Sequence, residues 1–91
     1  MADEIRDNPA RTRFEMDAGD GIAFVKYRLA PGMIVLSHTE VPEQLEGQGL
    51  GSKIVCGVLD IARARGLKVS PTCGFVAAFI RKNPGYRDLL V

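Results

Sequence analysis

Hydrophobic and polar positions alternate through most of the first half of the chain, then change period. From Ile22 to Leu29, Ala23, Val25, Tyr27 and Leu29 fall on one side, and Ile22, Phe24, Lys26 and Arg28 on the other. A period of two predicts a half-buried strand. A weaker alternation over Thr12–Met16, with Phe14 and Met16 on one face, predicts an earlier strand. Asp17 to Gly21 between them is turn chemistry, and Ala30-Pro31-Gly32 predicts a tight turn after the second strand. Met33–Val41, rich in β-branched residues, predicts a third strand. On simple alternation Ile34, Leu36, His38 and Glu40 share a face that starts apolar and ends polar, as expected of a strand leaving a core and entering a site. Residues 1 to 10 read as a lead-in closed by the breaker Asn8-Pro9, with residues 1–8 expected to be flexible.

After the connection Val41 to Glu46 the period becomes helical. Leu50, Ile54, Val58, Ile61 and Ala62 recur at helical spacing, flanked by Val55 and Leu59. Gly66 predicts the helix end, with Arg63 and Arg65 complementing the negative end of its dipole. Leu67-Lys68-Val69 reads as a short strand. A second helix follows from about Cys73 to Lys82, with Thr72 as N-cap and Phe75, Val76, Phe79 and Ile80 as its buried side. Asn83-Pro84 ends it, and Tyr86–Leu90 is a tail that packs back. The predicted order is β-β-β-α-β-α. This is an α+β fold: an antiparallel meander, then a β-α-β crossover and a last helix, with helices on a mostly antiparallel sheet.

Ninety-one residues with 46% hydrophobic and 25% charged side chains suit one globular domain, taken as 1–91. A net charge of +1, with scattered basic residues, argues against a nucleic-acid partner. No apolar run reaches the length of a membrane span, and the first residues lack the apolar core of a signal peptide, so no membrane partner and a cytoplasmic location are expected. Cys56 and Cys73 are expected to be free thiols. They lack zinc-site spacing and the single histidine, His38, cannot build a metal site, so no metal is expected.

The densest chemical signal is Gly47-Gln48-Gly49-Leu50-Gly51-Ser52-Lys53, placed between a strand and a helix. Glycines let a backbone approach a ligand closely, and a helix start offers unpaired N–H groups and positive dipole charge, so this run is a candidate pyrophosphate cradle. An ordinary tight connection is the other reading. Lys53 would add charge near a phosphate or stand as a solvated helix lysine. Cys73, at the first turn of the second helix, is the expected reactive thiol or a small core residue, whereas mid-helix Cys56 reads as inert core. His38 is a candidate general base or a strand-end histidine with a local hydrogen bond, and Glu40 on the same face would share or orient its work.

The run His38-Thr39-Glu40-Val41, the glycine run, Leu59-Asp60 and Gly66-Leu67-Lys68-Val69 together resemble the GNAT superfamily of acetyltransferases. With Cys73, Phe75-Val76 and Asn83-Pro84-Gly85-Tyr86 added, the chain resembles that superfamily's very short single-domain members from about Asn8 to Leu90. The resemblance implies a fold that binds coenzyme A, as acetyl-CoA. Val41 would offer backbone groups to the pantetheine, while Gly47, Gln48, Gly49, Leu50, Gly51 and Ser52, with Lys53, would hold the pyrophosphate. It also implies that Cys73 lies near the thioester, as an acyl acceptor or a lining residue. Tyr86 would protonate the departing thiolate or pack the C-terminus, and Asn83 would reach the ligand or cap a helix end. Two departures stand out. Glu46 occupies a position where the superfamily often carries Arg or Gln, and the helices that wall the acceptor site in larger members are absent.

Three functions follow for comparison. The first is an acetyl-CoA-dependent N-acetyltransferase in which an amine attacks the thioester directly, with the acceptor unspecified and the protein a monomer or weak dimer. The second is a non-catalytic binder of CoA or acyl-CoA. The third, a nucleic-acid or phosphoprotein module, is disfavoured by the charge pattern.

Overall fold

The computed structural model describes residues 5–19, 21–45, 47 and 49–91. Five strands form one sheet in sequential order: β1 Ile5–Asn8, β2 Arg13–Ala18, β3 Gly21–Ala30, β4 Met33–Glu40 and β5 Lys68–Pro71. β1 to β4 are antiparallel, and β5 joins β4 in parallel after the crossover helix α1, Leu50–Ala64. The second helix, α2, spans Gly74–Lys82. The architecture is the expected α+β arrangement, with two helices and a mostly antiparallel sheet.

One strand was not expected. Ile5–Asn8, read as a lead-in, pairs with β2 in the register Ile5↔Met16 to Asn8↔Arg13. Only Ile5 in it is apolar, so hydrophobic patterning is silent there. Side-chain pairs hold it instead: Arg6 meets Asp17 at 3.2 Å, Asn8 donates to Glu15 at 3.0 Å, and Asp7 accepts from Tyr27 at 2.6 Å. A charged edge strand of this kind also discourages pairing with another chain. Its single apolar side chain lies on α1 at Gly57, where any Cβ would collide with Ile5. The part of the predicted flexible segment before Ile5 lies outside the described residues.

The core gathers Phe14, Met16, Val25, Leu36 and Val69 of the sheet under Ile54, Val55, Val58 and Leu59 of α1, with Val76 and Ile80 of α2, all at 3% exposure or less. α1 ends as its sequence predicts. Gly66 has φ 70°, its N–H reaches the Arg63 carbonyl, and the Leu67 N–H reaches that of Ala62, which is the Schellman arrangement. β1 and the last segment are both tied near this helix end, since Arg65 binds Asp7 at 3.1 Å and Arg63 grips Asp88 at 2.6 Å. The tail packs back as expected, with a bridge between Val69 and Leu90 and a 3-10 segment over Pro84–Leu89.

A β-bulge in β4 corrects the expected facing of that strand. Tyr27 pairs with Leu36, yet Lys26 pairs with His38, so Ser37 is the extra residue. One extra residue inverts every later side chain relative to simple alternation. Thr39, opposite buried Val25, therefore continues the face of Ile34 and Leu36 towards α1. His38 and Glu40, opposite Lys26 and Phe24, lie on the face turned away from α1.

Candidate functional site

The bulge lies where the sheet opens. β4 and β5 pair from Met33↔Lys68 to Leu36↔Pro71 and no further. Beyond that point the Thr72 and Cys73 N–H groups both converge on the Leu36 carbonyl at 3.1 Å, and β5 turns away into α2. Among the described residues, the β5-side edge of β4 from Ser37 onward carries no strand partner. A groove of about 460 Å³ lies beside that free edge. Thr39 and Val41 form one wall, Leu45 of a 3-10 turn and Phe75 of α2 stand opposite, and the glycine run with the first turn of α1 makes the floor.

The floor has the conformation that glycine makes possible. Gly47 has φ 87° and Gly49 φ 79°, and a Cβ built on either would meet nothing within 4 Å. Both positions are left-handed, a region costly for other residues, and both open onto free space. Gly49 is the N-cap of α1, and no side chain among the described residues caps this helix start. The first intrahelical bond is donated by Lys53 to the Gly49 carbonyl at 3.0 Å. The N–H groups of Leu50, Gly51 and Ser52 therefore belong to the unpaired first turn and border the groove. Gly51 has a separate reason to be glycine: a Cβ there would sit 2.7 Å from the Phe75 ring.

Cys73 does not line this groove but touches Thr39, which does. It is the N-cap of α2, half-buried, and its Sγ lies 3.6 Å from Oγ1 of the groove residue Thr39. The N-cap is thus one residue later than Thr72. Burial pushes the thiol pKa up, but the N–H of Val76, the Thr39 hydroxyl and the N–H of Phe75 together outweigh it, so the thiol sits below its ordinary value. Cys56, expected to be inert core, is half-buried and lies 3.1 Å from the Tyr86 hydroxyl.

Of the residues singled out from the sequence, Val41, Gly47, Gly49, Leu50, Gly51 and Ser52 converge on the groove. Gln48 and Glu46 lie outside the described residues. Lys53 follows them on the exposed surface of α1. His38 and Glu40 contact each other at 3.2 Å, both exposed, on the other face of β4. Asn83 donates to the Phe79 carbonyl at 2.8 Å, closing the end of α2, and borders a second groove. Tyr86 does not line the groove. Its hydroxyl donates to Asp60 at 2.9 Å beside Cys56, and Cys56, burial and Asp60 together push its pKa up.

Three groove residues escaped the sequence reading. Simple alternation sets Thr39 on the face opposite Ile34 and Leu36, because nothing local announces the bulge at Ser37. Leu45 belongs to a connection without periodicity. Helical spacing puts Phe75 on the buried side of α2, yet it is 46% exposed.

The match to known proteins follows this geometry. Residues 13–89 match the family model for GCN5-related N-acetyltransferases. The chain belongs to the GCN5-related N-acetyltransferase family. Over 52 residues it is 31% identical to the protein NATD1 of Bos taurus, covering 57% of this chain and 46% of that one. The Danio rerio NATD1 is 33% identical over 49 residues, covering 54% and 44%. The chain spans about half the length of these relatives. A solution structure from Staphylococcus aureus, described as GCN5-like, matches with a TM-score of 0.75 and 29% identity, over 99% of this chain and 89% of that one.

Proposed function

We propose that this protein binds acetyl-CoA in the groove beside β4 and transfers the acetyl group to an amine. The observation that carries this reading is the meeting of two left-handed glycines, an unpaired helix start and an unpartnered strand edge in one cavity. A pyrophosphate needs several N–H donors and close backbone approach, and Gly47 to Ser52 supply both. The strand edge at Thr39 and Val41 suits an extended chain carrying amide groups, such as pantetheine. Acetyl-CoA supplies an acyl carbon activated as a thioester.

The roles of the chain's own residues follow from their positions. Backbone groups of Gly47, Gly49 and the first turn of α1 hold negative charge without a cationic side chain. Thr39 forms the inner wall where the strands part, with Cys73 in contact with it. An amine must lose a proton before it can attack a thioester, and the exposed His38–Glu40 pair is the candidate acceptor for it. That pair lies on the opposite face of β4, so the amine would approach from the side turned away from α1. Cys73 has two available roles, backing the acyl end of the groove through Thr39 or accepting the acyl group before the amine does.

A second reading has its own support. Among the described residues lining the groove none carries a charged side chain, and the Tyr86 hydroxyl is committed to Asp60. A protein that holds acyl-CoA without turning it over would look the same at these positions.

Titration with acetyl-CoA and CoA, followed by mass spectrometry of the intact chain, separates these readings. Perturbed backbone amides from Gly47 to Ser52 are expected on binding. An added acetyl mass lost in Cys73→Ala would establish the covalent route. Binding with no adduct and no turnover across an amine panel would favour the passive binder. Absence of binding would remove the proposal.

A further inference from the structure

Basic and acidic residues are unevenly divided along the chain. From Ile61 to the last residue stand Arg63, Arg65, Lys68, Arg81, Lys82 and Arg87, with Asp88 as the one acid, whereas acids outnumber bases before Ile61. Arg63 and Lys68 are engaged by Asp88, and Arg65 by Asp7. Arg81 and Arg87 are exposed, and neither side chain has an ion pair or hydrogen bond with any described residue. Both border one cavity of about 240 Å³, whose other walls are Pro71 of β5, Ala77 and Ile80 of α2, and Leu90. Leu90 is held in place by its bridge to Val69 of β5, and its N–H closes a turn on the Arg87 carbonyl at 3.1 Å. It is nevertheless 38% exposed. Helical spacing sets Ala77, Ile80 and Arg81 on the flank of α2 away from Phe75, and the cavity shares no lining residue with the groove beside β4.

We infer that this cavity docks an acidic segment of a partner protein, with one apolar side chain entering between Pro71, Ile80 and Leu90 while flanking carboxylates meet Arg81 and Arg87. Two guanidinium groups border the cavity, and no acid stands among the described residues lining it. Like charges on one rim repel, and an anion between them relieves the repulsion. The planar guanidinium fork suits a carboxylate in particular. The aliphatic walls call for an apolar group beside that charge. A volume of about 240 Å³ falls below the roughly 300–1,000 Å³ of ordinary small-molecule sites, and leaves room for one bulky side chain. No aromatic ring stands among the described lining residues for a base to stack on, which disfavours a nucleic acid as the occupant. The inference stands independently of the acetyl-CoA reading, because the two sites lie on opposite flanks of α2.

The test is fluorescence anisotropy on the full chain with four labelled probes. They are the peptide Glu-Asp-Leu-Asp-Glu, the same peptide with alanine for leucine, the charge-inverted peptide Lys-Lys-Leu-Lys-Lys, and a single-stranded thymidine decanucleotide. The acidic leucine peptide is expected to bind about tenfold more tightly than the alanine peptide, the effect of burying one leucine side chain, and the lysine peptide is expected not to bind. Arg81→Gln and Arg87→Gln change side chains that have no partner to lose, and each is expected to weaken the leucine peptide about threefold. Lys82→Gln removes the same charge on the other flank of α2, and is expected to change that affinity by less than about twofold at physiological salt. No binding of the leucine peptide at about 1 mM would overturn the inference. Equal binding of the leucine and alanine peptides, or arginine variants no weaker than Lys82→Gln, would do the same. Tighter binding of the oligonucleotide than of the leucine peptide would also overturn it, by assigning this basic side to nucleic acid.

Discussion

Gly49 carries two demands at one residue. Its φ of 79° is left-handed, and its missing side chain opens the groove floor. Gly49→Ala is expected to lower stability by about 1–2 kcal/mol in urea unfolding, the cost of a left-handed backbone with a Cβ. It should also weaken acetyl-CoA binding at least tenfold. Gly85→Ala is the control, because a Cβ there meets nothing within 4 Å and the backbone is not left-handed. The two cysteines divide by environment in the same way. With its thiol pKa held below the ordinary value, Cys73 keeps thiolate to lower pH than a free thiol such as glutathione. Labelling of the native protein should modify Cys73 before Cys56, with a rate that falls off at lower pH than that of glutathione. Labelling of Cys56 first would show that the helix start and Thr39 do not activate Cys73.

At the scale of elements, α1 is both the crossover and the centre of the core. Its buried residues Ile54, Val55, Val58, Leu59 and Ala62 form one stripe, and its C-terminal end holds β1 and the last segment through Arg65–Asp7 and Arg63–Asp88. Leu59→Ala removes a fully buried side chain and is expected to cost about 3 kcal/mol, read as a lower urea midpoint with an unchanged slope. A loss below about 1 kcal/mol would mean the stripe is not the core. The elements also show what was legible in the sequence. α1, its end at Gly66, β3 and the glycine turn follow from periodicity and turn chemistry, which act over a few residues. β1 does not, since one apolar residue in four carries no period, and its ion pairs lie across the strand. The bulge at Ser37 does not either, because the extra residue is defined only against β3.

For the whole molecule, the face of the sheet turned away from α1 is held by charge more than by apolar burial. Glu15 there is covered by Arg6, Arg13 and Asn8, with Arg13 at 2.6 Å and stacked over Phe24. The Arg13 hydrogen bond, then that of Asn8, holds the Glu15 pKa below the usual carboxylate value despite its burial. A group whose pKa falls on folding adds stability above its unfolded value and loses it as pH drops through the folded one. Glu15→Gln is therefore expected to cost about 2 kcal/mol at pH 7 and to flatten the loss of stability on acidification. Equal slopes between pH 7 and 3 in both proteins would assign the acid limb elsewhere.

Sequence alone determined the class of the fold, the crossover helix, the glycine turn before it and the resemblance that the family match confirms. These rest on short-range chemistry: a period of two or 3.6, a left-handed glycine, a helix start without a cap. Only the tertiary structure decided which side of β4 each residue serves. It set Thr39 at the groove with Cys73 against it, and turned His38 and Glu40 to the other face. It drew Tyr86 onto α1 and left Phe75 exposed between two cavities. Each of these depends on register or on contacts between residues far apart in the chain, and a one-residue slip in pairing reverses a face without leaving a mark on the local pattern.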